Sequence, residues 1–249
     1  MTAVRSALVA VLLLAGCSSG VAGTEAGAVT RSGATGPAVG ATAAERDTGS
    51  EGAFPAYVVR VYRIGPDLRA RMHDSHRPGC PVRLRDLRYL RLRFVGFDGR
   101  AHVGELVVHE QFATKVGAVF EKLYDARWPI RRMRLVDDYD GDDERSMAAD
   151  NTSGYNCRLI AGRTVWSRHS YGDAIDVNPA ENPYLTPSVH PRSAARYVLI
   201  DRSPGARVPT GSIRADDVVV RAFASIGWEW GGTWPGLKDY QHFAAPPSW

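Results

Sequence analysis

An aspartate set inside an apolar run constrains this chain more than any other feature. In Ala174-Ile175-Asp176-Val177 the alternation predicts a short strand, with Ile175 and Val177 on one face and Ala174 and Asp176 on the other. A carboxylate buried without a partner is costly or is neutralised by a proton, so the fold has to bring a cation or strong donors to Asp176. Seven residues earlier stands His169, with the turn-former Gly172 between them. A second group lies near the C-terminus, in Gly227-Trp228-Glu229-Trp230-Gly231-Gly232-Thr233-Trp234 and Lys238-Asp239-Tyr240-Gln241-His242-Phe243.

Two histidines and an aspartate, leaving one position for water, form the ligand set expected of catalytic rather than structural zinc. His169, Asp176 and His242 are therefore the expected ligands of Zn2+, and Asp239, three residues before His242, is the expected base. Asp173 competes with Asp176 for the ligand role. Its place beside Gly172 fits ordinary turn chemistry, whereas Asp176 sits within the strand, which favours Asp176. Other hydrolytic centres lack their marks: there is no Ser-x-x-Lys, His-Glu-x-x-His or His-x-His in the sequence.

Together these segments resemble the zinc D-alanyl-D-alanine carboxypeptidase family (VanY-type) and its relatives among phage L-alanyl-D-glutamate endolysins. The family pattern Ser-x-His-x-x-Gly-x-Ala-x-Asp is met in full from Ser167 to Asp176. The Trp-Gly-Gly-x-Trp and Asp-x-x-His-Phe pieces look like the endolysin branch, and the resemblance spans roughly Val103 to Phe243. It implies a zinc metallopeptidase acting on peptidoglycan stem peptides, as a D-Ala-D-Ala carboxypeptidase or, alternatively, as an L-Ala-D-Glu type endopeptidase. It also implies that Arg158 binds the substrate or its developing oxyanion, where a guanidinium fork suits either duty, and that Ser167 and Trp234 contribute to substrate binding. A zinc-stabilised wall-binding lipoprotein without turnover is the competing class; a carboxylate such as Asp239 beside the metal would be of no use to it.

At 249 residues and 44% hydrophobic content the chain can bury one full core, so one globular domain with extensions is expected. The net charge of +4 is modest, and with only three lysines the arginine excess does not call for nucleic acid as a partner. Residues 1–16 combine Arg5 with an apolar run, Ala7 to Ala15, and lead into Leu14-Ala15-Gly16-Cys17, the pattern of an export signal with a lipobox. The run is too short for a permanent span, so cleavage before Cys17 and lipidation of its thiol are expected. The address is extracytoplasmic, lipid-anchored to the bacterial membrane and facing the wall, with the protein acting as a monomer. Cys80 and Cys157 then pair as a disulfide. Residues 17–52, rich in Gly, Ala, Ser and Thr, form a disordered tether with a reach of roughly 30 to 35 Å, and residues 53–249 form the peptidase domain.

The fold class expected is α+β: a small antiparallel sheet carrying the zinc site, packed against a few helices. Strands are predicted at Tyr57–Tyr62, Leu90–Phe94, Val103–Val108 and Ile130–Val136, with a hairpin turn at Phe97–Arg100. Helices are predicted over Glu110–Arg127, stopped by Pro129, and over Asp216–Ile226, ended by Gly227, while 180–215 reads as loops with a short helix. The arginines from Arg83 to Arg93 read as a solvated sheet face, with a wall-polymer patch as the alternative. The acidic loop 137–144 fails the EF-hand spacing and reads as solvated or substrate-facing rather than as a calcium site; His190 reads as a surface histidine.

Overall fold

The structure, a computed structural model, describes residues 53–185 and 192–246, all within the unit Gly49–Trp249. The export signal, Cys17, the tether and His190 lie outside the described residues. In chain order the regular elements are β1 (Val59–Arg63), α1 (Pro66–Arg71), β2 (Leu87–Val95), β3 (Ala101–His109), α2 (Ala113–Asp125), α3 (Asp143–Ala148), β4 (Ala174–Asp176), α4 (Val218–Ala224), β5 (Glu229–Trp230) and β6 (His242–Ala244). They build an α+β fold with two three-stranded antiparallel sheets, ordered β1-β2-β3 and β4-β6-β5.

The first sheet follows from the alternation of β2. Leu90, Leu92 and Phe94 are buried on one face, and the β2–β3 turn closes where Gly96 N–H donates to Arg100 C=O at 2.8 Å and the Asp98 carboxylate caps Arg100 N–H at 3.0 Å. Helix α2 lays Val116, Val119, Phe120 and Leu123 on that face, at the i, i+3, i+4, i+7 spacing of an amphipathic helix. Its predicted span is shorter in fact. Glu110–Phe112 form a tighter 3-10 turn, and Arg127 leaves the helix at φ 55° before Pro129. Helix α4 packs against α2, starts at the Asp217 cap, whose carboxylate accepts from Val219 N–H at 3.3 Å, and is followed by Gly227 at φ 81°.

The second sheet is pinned to the same core by aromatic packing. Phe243 of β6 stacks on Phe223 of α4 with centroids 4.2 Å apart, and Phe223 in turn meets Phe120 and Trp228. Trp228 and Trp230 are thereby core residues.

Ile130–Val136 is not the strand its alternation predicts. It forms isolated bridges, Pro129 to Val95 and Met133 to Thr152, because Asn side-chain carbonyls intercept its amides: Arg131 N–H donates to Asn178 Oδ1 at 2.9 Å and Arg134 N–H to Asn151 Oδ1 at 2.8 Å. Helices α1 and α3 have no counterpart in the sequence reading. The stretch after Asn178 is loop with a 3-10 turn at Arg192–Tyr197, anchored by the buried Asn182, whose Oδ1 accepts from Ile213 N–H at 2.7 Å and from Arg202 at 2.9 Å. Among the described residues no helix is long and apolar enough to cross a membrane.

Cys80 and Cys157 are bridged across 77 residues of sequence, joining the segment before β2 to the one that carries Arg158. Closing a loop of that length restricts the unfolded chain by about 4 to 5 kcal/mol in the chain-entropy account. The double variant Cys80→Ser/Cys157→Ser should therefore lose about 4 kcal/mol of unfolding free energy in urea titration, and an unchanged midpoint would count against the bridge.

Candidate metal centre

The centre is assembled by strand register. In the β4–β6 ladder Ile175 stands opposite Phe243 and Asp176 opposite His242. Successive side chains in a strand point to opposite faces, so burying Ile175 and Phe243 in the aromatic core turns Asp176 and His242 together to the other side. There His242 Nδ1 lies 2.9 Å from Asp176 Oδ1. The third member comes from the loop before β4: Ser167 caps a 3-10 turn at Arg168–Tyr171, and Gly172 at φ 69° reverses the chain so that His169 meets Asp176, with Nε2 at 3.2 Å from Oδ2. One donor atom from each of the three buried residues lies within 4.8 Å of the others, so the set predicted from sequence converges.

Two contacts that sequence reasoning missed orient it. His169 Nδ1 faces Gly154 C=O at 2.7 Å, a contact that places a proton on Nδ1 and turns Nε2 toward Asp176. Gly154 itself has no room for a side chain, because a Cβ there would lie 2.5 Å from Val107 O. Gln241 Nε2 donates to Asp176 Oδ2 at 3.1 Å. Neither contact could be found from local pattern, since both partners meet Asp176 or His169 only through tertiary pairing.

The donor chemistry fits a metal. His169 Nε2 is buried without a well-aligned hydrogen bond and faces Asp176 Oδ2 at 3.2 Å, a spacing that calls for a shared positive charge, which a proton or a metal ion supplies. Burial opposes charge on both groups, yet the Asp176 carboxylate raises the His169 pKa, and the two imidazoles hold Asp176 far below the usual carboxylate range. The cluster attracts a cation, and two imidazoles with one carboxylate suit a borderline divalent ion.

Asp239 is held alongside. Its backbone N–H donates to Gly231 C=O at 3.2 Å and its own C=O accepts from His242 N–H at 3.3 Å, a turn that keeps it next to the second histidine. Its Oδ1 is buried with no partner, and burial pushes the carboxyl up to about 7, with His242 pulling it down and Asp176 adding to the rise. The Trp234 ring lies 5.6 Å from His242 and remains about a third exposed, at the rim of the centre.

The remaining candidates and the competing Asp173 lie as follows around the cluster. Ser167 is buried, and its hydroxyl accepts from His169 N–H at 3.4 Å, a local support for the histidine turn. Asp173 is outside the cluster; it is wholly buried and paired with Arg168, which also donates to Ala245 C=O at 3.0 Å. Arg158 is fixed through its backbone by Ser170 Oγ, and its Nη2 pairs with Asp143 Oδ2 of α3 at 2.6 Å. The acidic loop thus supplies a partner for Arg158, a role its sequence did not disclose.

A buried His/Asp/His set with an acid beside it is the layout of a hydrolytic metal centre. Residues 161–245 match the family model described as D-alanyl-D-alanine carboxypeptidase, and that segment contains His169, Asp176, Asp239 and His242, while Arg158 lies just before it. No curated protein and no solved structure matches the chain.

A carboxyl with a higher pKa in the folded than in the unfolded chain stabilises the fold at low pH and loses that contribution as pH rises through the folded value. Asp239 and Asp150 at about 7 and Asp173 at about 6, each raised chiefly by burial, act in this sense, as does His169. His76 and His109, lowered by burial, act oppositely, but three acids displaced from the ordinary carboxylate range outweigh them. In chelator the Tm should fall between pH 5 and pH 7.5, and zinc should flatten the fall by favouring the ionised Asp239 and the neutral His169. A chelated protein whose Tm stays level or climbs over that range contradicts the assignment.

Proposed function

We propose that the protein is a zinc metallopeptidase that cleaves peptidoglycan stem peptides, acting chiefly as a D-Ala-D-Ala carboxypeptidase. The observation that carries this reading is the convergence of His169, Asp176 and His242 beside the lone buried oxygen of Asp239, within the segment that matches the carboxypeptidase family. His169, Asp176 and His242 hold the ion. When bound, zinc supplies Lewis-acid activation of water and of the scissile carbonyl.

The protein's own groups do the rest. Asp239 accepts a proton from the attacking water and delivers it to the leaving amine, a duty suited to a carboxyl whose pKa lies near neutrality. Arg158 supplies a guanidinium for the substrate's terminal carboxylate or for the developing oxyanion. Trp234 walls one side of the cleft, and Ser167 acts indirectly, by holding the His169 turn. The disulfide is consistent with an extracytoplasmic site of action, and lipidation of Cys17 with a tether over residues 17–52 would hold a monomeric enzyme at the membrane, within reach of the wall.

The base role sets the sign of the pH dependence: kcat/KM rises as Asp239 ionises, with the limb below pH 7 once a divalent cation stands nearby. Asp239→Asn should lower kcat by about 100- to 10,000-fold while zinc content by elemental analysis stays at one ion per chain. Mass spectrometry of muropeptides treated with and without chelator reads the bond. Loss of a single D-Ala is the expected result, internal cleavage would favour the endopeptidase reading, and an unchanged profile from zinc-loaded protein would leave only a binding role. An Asp239→Asn variant with full turnover would refute the mechanism.

A further inference from the structure

A second cationic concavity lies apart from the metal centre. A groove of about 530 Å³ runs over the open side of the first sheet, between β2–β3 and the irregular segment after Pro129, and brings together Arg91, Arg131, Arg132 and Arg134. A smaller depression of about 210 Å³ shares Arg91 and adds Arg60 and Arg93. Register makes the two continuous: Arg60 is the cross-strand partner of Arg91, and Arg91 of Glu105, whose strand β3 is hydrogen-bonded to Met133, between Arg132 and Arg134. At nearly 5 Å between neighbouring strands, the row is about 15 Å long from Arg60 to Arg134.

The charge of this row is mostly unspent. Its one carboxylate, Glu105, is already bound in a double hydrogen bond by Arg71, both at 2.7 Å, and also accepts from Tyr89. Arg131 is shared with Asp150 and Glu181, both at 3.3 Å, but Arg91, Arg132 and Arg60 have no ion-pair partner among the described residues. Arg93 donates to the neutral Ala56 C=O, and Arg134 approaches only Asp138, at 3.7 Å, whose other oxygen is already engaged by Arg71 at 2.8 Å. Like charges are not gathered in a concave site without cost, and several exposed guanidinium forks within it match oxyanions repeated along a chain.

We propose that this groove binds a linear phosphodiester polymer of the cell surface, laid across the strands from Arg60 toward Arg134. Forks presented from more than one side of the groove suit phosphate groups repeated along a chain. Concavity favours a chain over a flat bilayer, and the disulfide points to a compartment in which nucleic acid is not the resident polyanion. The proposal does not depend on the peptidase reading.

The test titrates the purified, zinc-loaded protein with fluorescent poly(glycerol phosphate), with polygalacturonate as a carboxylate polymer and phosphatidylglycerol vesicles as the bilayer arm. In Arg91→Ala/Arg132→Ala/Arg134→Ala, three exposed side chains outside the metal centre, affinity for poly(glycerol phosphate) should drop at least tenfold with Tm unchanged. The salt dependence should weaken by about two in the log–log slope, at roughly 0.7 per phosphate contact. The charge-matched control Arg69→Ala/Arg163→Ala/Arg207→Ala should bind as the parent does, and polygalacturonate should bind at least tenfold more weakly. Equal losses in the control, parent-like binding by the groove variant, equal affinity for polygalacturonate, or an effect confined to vesicles would each overturn the proposal.

Discussion

The pairing of β4 with β6 is the constraint on which the rest depends. A ladder of three residues decides whether Asp176 and His242 share a face, and its register is locked from behind by Ile175 and Phe243 packing on Phe223. A slip by one residue would carry the histidine into the apolar core and the phenylalanine to the metal side. The hydrophobic interior therefore does more than stabilise the domain: it sets the coordinates of two polar groups that could not hold themselves in place. The third, His169, depends on the same strand, because Ser153, next to the carbonyl that orients its ring, pairs with Asp176 in both directions, at 2.9 and 3.0 Å.

Around that frame, buried charge is balanced locally rather than spread over the surface. Asp173 has Arg168, Asp150 and Glu181 share Arg131, and Arg158 has Asp143. Asp239, by contrast, has no ion-pair partner among the described residues, its Oδ1 is buried without a hydrogen bond, and it is the acid next to the histidine pair. A carboxyl kept short of donors is held ready to take a proton, which is why its isolation matters to the chemistry.

Much of the centre was legible in the chain because polar residues in apolar strands leave few alternatives. Asp176 declared itself by interrupting Ala174–Val177, and Asp239 and His242 by their three-residue spacing beside a tryptophan-rich loop. The amphipathic faces of α2 and β2 were equally plain. What stayed hidden are contacts made by residues with no local pattern: the Gly154 carbonyl, the Gln241 amide, and Asp143 reaching Arg158 from α3. The strand expected over Ile130–Val136 failed for a related reason, since Asn151 and Asn178 capture its amides from afar and no neighbouring periodicity reports such captures. Helices α1 and α3, six residues each, are too short to show an amphipathic repeat.

The ion pair between Arg158 and Asp143 has one further consequence. An incoming anion does not meet a vacant guanidinium; it meets one already engaged by an acid at the start of a helix only six residues long. Association there is an exchange of carboxylates, with one ion pair dissolved for each one made. Discrimination then rests on how well the newcomer fits around the fork, and weakly shaped anions gain little by displacing the resident acid.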